Sequence, residues 1–333
     1  MDIEIKKDIY DEISNLLKEA RKSIVSNINT TMTKTYFLIG KRIVEEEQNG
    51  NERAIYGENL IKTLSKRLTE EFGKGFSKTN LKQMKSFYIA YRKGQTVSDQ
   101  FKLSWSHYLI LMRMENIEER NFYEIESIQN NWSLRELRRQ IDSALYERLV
   151  LSRDKEKVKE LAFKGQVIEK PEDVVKDPYI LEFLGLEEQS DYSENKLETE
   201  IINNLEKFLL ELGKGFTFVG RQVRFTFDEK HFRVDLVFYN RILKCFVLID
   251  LKIGEVTHQD LGQMQMYVNY YDRYVRLPDE NKTIGIIICK EKNDTLVRMT
   301  LPEDNQQIFA SRYMTVLPSK EDLKKIIDET DKK

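Results

Sequence analysis

Residues 233–252 read Arg-Val-Asp-Leu-Val-Phe-Tyr-Asn-Arg-Ile-Leu-Lys-Cys-Phe-Val-Leu-Ile-Asp-Leu-Lys. Two arms rich in β-branched and aromatic residues flank a short polar turn around Asn240 and Arg241, a pattern that predicts a β-hairpin. The second arm has the composition of a strand buried on both faces, except that Asp250 and Lys252 interrupt it. Strand side chains alternate, so Asp250 and Lys252 share one face while Ile249, Leu251 and Ile253 take the other. In the first arm Asp235 lies on the face opposite Val234, Leu236 and Phe238. Where the two polar faces coincide, two carboxylates and one ammonium converge on an apolar sheet. Removing such charges from water is costly unless they pair or bind a metal. The stretch therefore encodes either a structural ion pair or an active site.

The rest of the chain sets bounds on that choice. Its 333 residues allow about two domains. A hydrophobic content of 40% permits a sizeable core, and 33% charged residues imply a highly charged surface. The formal net charge of -2 excludes a wholesale polycation, so a nucleic-acid surface has to come from local clustering. Cys245 and Cys289 both fall in predicted strands and read as buried small hydrophobes in a reducing compartment, not as a disulfide. With three histidines and two scattered cysteines, a Cys/His zinc site is not expected. The N-terminus lacks a signal pattern, and no apolar run approaches the roughly 18 residues of a membrane helix. A cytoplasmic location without membrane contact is the expectation.

Residues 1–150 read as helical. Apolar residues recur at helical spacing at Ile5, Ile9, Ile13, Leu16 and Leu17, and again at Tyr36, Ile39 and Ile43, and there is no proline before Pro171. Between Phe72 and Asp99 there is no acidic residue but there are six basic ones, Lys74, Lys78, Lys82, Lys85, Arg92 and Lys93. A helix to Phe72, a glycine turn and a second helix capped by Ser77, Thr79 or Asn80 give the outline of a helix-turn-helix. Leu81, Met84, Tyr88 and Tyr91 form its inward stripe. Lys78, Lys82, Lys85 and Arg92 form a neighbouring basic stripe, which either contacts DNA or is an ordinary solvated face. Trp105, His107, Tyr108 and Trp132 read as core or interface aromatics.

Residues 151–190 form a charged helical arm and connector, in which Pro171 and Pro178 bracket an acidic segment and Tyr179–Leu186 reads as a small apolar helix. From 191 to 333 the order is a helix over Leu197–Leu212, strands at Phe216–Val219, Val223–Phe227, Phe232–Tyr239 and Lys244–Lys252, a helix from His258 to Tyr274, a strand at Ile284–Cys289, a further strand at Phe309–Val316 and a terminal helix at Lys320–Ile327. This order describes a mixed sheet flanked by helices.

Two converging carboxylates suit a hard divalent cation such as Mg²⁺ or Mn²⁺, which accepts few protein ligands and keeps waters. In phosphodiester hydrolysis such an ion orients and acidifies an attacking water. A lysine on the same face stabilises charge in the transition state.

Asp235 followed after a turn by Asp250-Leu251-Lys252 resembles the PD-(D/E)XK nuclease signature, with Asp250 where Glu is more usual. Gln263-Met264-Gln265-Met266-Tyr267 is similar to the Gln-x-x-x-Tyr motif of RecB-like members. Phe208-Leu209-Leu210-Glu211-Leu212-Gly213, the Asp-Leu-Lys strand, Gly262-Gln263-Met264 with Tyr267, Lys102–Tyr108 and Asn131–Leu137 together resemble the YhcG-like family of that superfamily. The resemblance implies a restriction-endonuclease-like C-terminal domain at 191–333 and a DNA-binding all-α N-terminal domain, helix-turn-helix-like, at 1–150. It makes Asp235 and Asp250 metal ligands, Lys252 the catalytic lysine, and Gln263 and Tyr267 DNA-facing or supporting residues. An acid of the first helix completes the metal site, Glu198 first and Glu200 second. Arg221, Gln222 and Arg233 are candidates for phosphate contact, the alternative being ordinary exposed side chains.

The reading is a Mg²⁺- or Mn²⁺-dependent DNA nuclease, endonucleolytic in preference to exonucleolytic, in defence against foreign DNA, restriction, or repair and recombination. A homodimer is the expectation where both strands are cut. The rivals are a catalytically inactive nuclease-fold DNA-binding protein and a nuclease selective for junctions or RNA.

Overall fold

A computed structural model describes residues 7–49, 54–92, 101–151, 155–186 and 192–317. The chain divides into two compact units, Met1–Leu137 and Arg138–Lys333. The expected terminal helix at 320–327 lies outside the described residues.

In the first unit a long helix α1 (Lys7–Asn49) is followed by α2 (Ala54–Phe72), a tight turn at Lys74–Phe76, α3 (Lys78–Tyr91), α4 (Trp105–Leu111) and α5 (Ile117–Gln129). Ser77 caps α3, accepting a hydrogen bond from Asn80 N at 3.2 Å. The inward side of α3 buries Leu81 and Met84 as expected, together with Phe87, which stacks among Phe37, Phe101, Trp105 and Tyr108. Tyr88 and Tyr91 are only half-buried, so the stripe is centred one residue away from where the spacing put it. Gly40 of α1 lies against the Met84 carbonyl, where any Cβ would collide with backbone, so glycine sets the close approach of α1 and α3. The first half of α1 is different: Ile9, Tyr10, Ile13, Leu16, Leu17, Ile24 and Ile28 are all at least half exposed. At 100° per residue these seven fall within one stripe of about 120°.

The second unit begins within α6 (Leu134–Asp142) and continues through α7 (Leu145–Leu151) and α8 (Lys155–Lys164). The segment 179–186, expected as a small helix, is instead a two-residue strand β1 (Tyr179–Ile180) and a 3-10 turn at Glu182–Leu184. Long-range pairing with the last strand overrides its local helical look. Likewise the helix expected over 197–212 is two, α9 (Glu194–Asn203) and α10 (Leu205–Leu212), broken at Asn204.

The sheet contains β1, β2 (Phe216–Phe227), β3 (Lys230–Asn240), β4 (Cys245–Glu255), β5 (Ile284–Glu291) and β6 (Ile308–Met314) in the order β1-β6-β5-β4-β3-β2. β2, β3 and β4 form an antiparallel meander, and β4, β5, β6 and β1 run parallel. The two segments expected on either side of residue 221 are one strand with a bulge near Gly220. Asn240, wholly buried, closes the β3–β4 turn by accepting from the N–H groups of Ile242 and Leu243. Leu197, Ile201, Phe208 and Leu212 of α9 and α10 pack with Leu236, Val247, Ile249, Leu251 and Ile286 on one face. On the other, α11 (His258–Tyr274) packs Leu261, Met264, Tyr267 and Val268 against Val237, Leu248 and Ile287. Gly285 permits this approach, since a Cβ there would stand 2.5 Å from Met264 Sδ. A short α12 (Asp294–Thr300), absent from the sequence expectation, lies between β5 and β6. Both cysteines are free and buried.

The connector is tied in by charge. Arg148 and Glu211, both fully buried, pair at 2.5 Å. Arg148 also donates to Ser143 O (2.9 Å) and Pro178 O (3.0 Å). Glu211 further accepts from Ile180 N (3.0 Å) and from Arg139 (3.4 Å), and Lys176 Nζ donates to its backbone carbonyl. Burial alone would raise the Glu211 pKa, but Arg148, Lys176 and Arg139 outweigh it and bring the group down to about 2.

Candidate active site

The β3–β4 ladder starts at Asn240/Cys245 and ends at Leu236/Ile249. One step further in the same register Asp235 stands opposite Asp250. Backbone pairing stops there, and Leu251 N donates to Asp235 Oδ2 at 2.9 Å. Beyond this point β4 stays paired with β5 through Lys252/Cys289 and, after a register shift, at Glu255/Glu291, and β3 stays paired with β2 to the end of its hairpin. Each strand is held on its outer side while the pair opens between them, which places the polar side chains in a fork.

Asp250 is 4% exposed, and its Oδ2 lies 2.8 Å from Lys252 Nζ. Burial, and then the nearby Asp235 charge, push the Asp250 pKa up to about 6 in spite of Lys252. Lys252 is also 3.7 Å from Glu194 Oε2 at the start of α9 and 3.8 Å from Asp260 Oδ1 in the first turn of α11. Burial works against its charge, but Asp250, Glu194 and Asp260 outweigh burial and hold its pKa above the ordinary value. Asp260 is at the same time the capping-box partner of Thr257, accepting from Thr257 N at 2.9 Å. The start of α11 is thereby fixed beside the lysine. Glu194 and Asp260 were not among the residues read from sequence. The Thr-x-x-Asp capping box at 257–260 was the available signal for the second.

Glu198 on α9 is 3% exposed and is the acid of that helix drawn into the fork. Its Oε2 accepts from Gln222 Nε2 at 2.6 Å, and Gln222 Nε2 also lies 3.0 Å from Asp235 Oδ1. Arg221 Nε is 3.1 Å from Glu198 Oε1. Burial raises the Glu198 pKa, helped by Asp235 and opposed by Gln222 and Arg221. Arg221 and Gln222, read from sequence as phosphate contacts, are thus directed at the carboxylates. On α11 Gln263 Nε2 donates to the hydroxyl of Tyr267, one turn on. Gln263 is exposed and Tyr267 is 1% exposed. Burial raises the tyrosine pKa, with the Asp250 and Asp235 charges adding to it.

The donors gathered here are carboxylate oxygens, the set that a hard divalent cation takes. Asp250 Oδ2 and Glu198 Oε1 are buried, and among the described residues each faces a single cation, Lys252 at 2.8 Å and Arg221 at 3.1 Å, with no further donor. That is the condition of ligands short of a partner. As the side chains stand, no three His, Cys, Asp or Glu among the described residues are close enough to share an ion. The Gln222 amide lies between Glu198 and Asp235 instead.

In the first unit Lys78, Lys82 and Arg92 are exposed. Lys85 is half-buried and pairs with Glu47 of α1 at 2.5 Å. His107 is bonded on both ring nitrogens, to Ser104 Oγ (2.6 Å) and to Trp132 O (3.1 Å), and burial lowers its pKa.

Residues 172–328 match the family model described as the YhcG PDDEXK nuclease domain, and residues 12–148 match the DUF1016 N-terminal domain. A protein of Escherichia coli (strain K12) named "Putative nuclease YhcG" is 39% identical over 353 residues, which is 97% of this chain and 93% of that protein. Among solved structures, a repair endonuclease from Pyrococcus abyssi is 16% identical with a TM-score of 0.26, over 38% of this chain and 49% of that one. EndoMS in its complex with dsDNA is 17% identical with a TM-score of 0.27, over 40% and 51%. The match at full length settles the family: the chain belongs to the YhcG PDDEXK nucleases.

Proposed function

We propose that the chain cleaves phosphodiester bonds in DNA with Mg²⁺ or Mn²⁺, endonucleolytically. The observation that carries this reading is the fork itself. Buried Asp250 beside Lys252, and the half-buried Asp235 linked through Gln222 to buried Glu198, line the place where two strands part. Asp235, Asp250 and Glu198 would hold the cation, which supplies a more acidic water and a polarised phosphoryl oxygen. Lys252, held above its ordinary pKa, stays charged at neutral pH. It serves as an electrostatic stabiliser of the phosphorane charge and does not serve as the base. Asp260 and Glu194 aim its ammonium at the fork. Tyr267 and Gln263 brace one another on the helix that overlies the site.

The first unit is proposed to hold DNA through phosphate contacts from Lys78, Lys82 and Arg92, with Lys85 on the same helix partly engaged by Glu47. Two copies are proposed to pair through the exposed stripe of α1, bringing two sites to a duplex. Seven apolar side chains at half exposure or more lie along that stripe, and a second copy would bury them. Among the described residues no helix is long and apolar enough to cross a membrane, and a cytoplasmic site of action is proposed.

The test is incubation of supercoiled, linear and branched DNA, and of RNA, with Mg²⁺ or Mn²⁺, comparing wild type with Lys252→Ala. Cleavage by wild type and loss by at least about a hundredfold in the variant is expected. Cleavage that persists in Lys252→Ala removes the mechanism. Failure of wild type on every substrate leaves the inactive nuclease-fold reading.

A further inference from the structure

Gln222 lies in β2 between the paired residues Arg221/Leu236 and Val223/Val234, directly opposite Asp235. Its φ is 48°. Left-handed backbone inside a strand is a strained state for a residue with a side chain, and it persists only where the surroundings impose it. What it achieves here is placement. The single Nε2 atom reaches Glu198 Oε2 on α9 at 2.6 Å and Asp235 Oδ1 on β3 at 3.0 Å. An amide NH₂ has two hydrogens, and these two acceptors take both. This one atom spans the gap between the helix acid and the strand acid.

A donor that bridges two carboxylates occupies the position a bridging cation would take, because both are held there by the same negative charge. The two cannot share it, since the N–H groups present their positive ends to the ion. We propose that Gln222 is a neutral stand-in for the divalent cation: its amide bridges Glu198 and Asp235 in the metal-free chain and leaves when the ion enters. This rests on the reading of Glu198, Asp235 and Asp250 as the metal-holding set. In the metal-free chain the bridge keeps two mutually repelling carboxylates in register. On loading, two charge-assisted hydrogen bonds are broken, so Gln222 lowers the affinity for the ion while preserving the shape of the site. Arg221, which approaches the other oxygen of Glu198, keeps its partner throughout.

The test compares wild type with Gln222→Met, which keeps the length and removes donor and acceptor, by calorimetric titration with Mn²⁺ and by thermal melting in EDTA and in excess Mn²⁺. The Mn²⁺ dissociation constant is expected to fall about tenfold in the variant. Its melting temperature is expected to drop in EDTA and to recover in Mn²⁺. An unchanged constant overturns the proposal, and a weakened one overturns it in favour of Gln222 as a metal ligand. A crystal structure of the wild type with Mn²⁺ tests it without any variant. The Gln222 amide nitrogen is expected beyond about 3.5 Å from Asp235 Oδ1, and an amide still bridging both acids beside a bound ion refutes it. If wild type binds no Mn²⁺, the metal reading of the site falls and takes this proposal with it. Binding with no effect of Gln222 removes this proposal alone.

Discussion

Asp250→Asn separates stability from activity at one atom. Asp250 is 4% exposed and its pKa is pushed from the ordinary 3.8 up to about 6. That displacement corresponds to about 3 kcal/mol spent on keeping the carboxylate ionised in the folded chain at neutral pH. The sign follows from linkage. The folded state binds this proton more tightly than the unfolded state, so the associated stability is fully present below about pH 3.8 and is lost as pH rises through about 6. Asparagine copies the neutral acid at every pH. Metal-free Asp250→Asn should therefore match wild type near pH 4 and exceed it by up to about 3 kcal/mol at pH 8. For a unit the size of 138–333 that is a rise of roughly 6–12 °C in melting temperature. The same variant should not cleave DNA. Urea denaturation in EDTA across pH 4–8 is the measurement, with unit 2 followed by an intrinsic probe. A difference that is flat with pH, or a variant less stable than wild type at pH 8, refutes the account of Asp250 as a carboxylate held ionised against its surroundings.

Other outcomes follow from contacts already described. Arg148→Met should cost about 3 kcal/mol or more by leaving the Glu211 charge under-compensated, and adding Glu211→Leu should recover much of it; a loss under about 1 kcal/mol in equilibrium unfolding would contradict the pairing. Lys78→Ala with Lys82→Ala should weaken duplex binding regardless of sequence and reduce the slope of log K against log salt by about 2, and an unaltered slope places the DNA elsewhere. Sedimentation equilibrium of the full chain should give a mass twice 39.6 kDa that reverts to one copy in Leu16→Glu/Leu17→Glu; a wild type that stays single at tens of micromolar rules out pairing through α1.

The hairpin was legible because a period of two is strict: once Asp250 and Lys252 share a face, Asp235 can join them only in one register, and the ladder has that register. The helix at 258–274 was legible from its apolar spacing and has the expected ends. What local pattern could not supply was anything set by distant partners. Tyr179 and Ile180 look helical alone and become a strand because β6 offers an edge. Asn204 interrupts a continuous apolar pattern at 197–212 without a glycine or proline to mark it. Gln222 read as a phosphate contact, since its left-handed backbone and its reach to two acids depend on where α9 and β3 come to rest. Lys85 counted towards a basic stripe, and only the packing of α3 on α1 brings Glu47 to it.

The clasp between Arg148 and Glu211 bears on how such a chain can be cut or shuffled. A fragment beginning at Ser193 would keep every carboxylate of the fork yet strip Glu211 of Arg148, Arg139 and Lys176 at once, leaving a charge in the core with no cation beside it. It would also lose Tyr179 and Ile180, baring the edge of β6. Exchange of the helical unit between relatives therefore has to be made upstream of Arg138. The segment that by composition resembles a tether is part of the body it leads to.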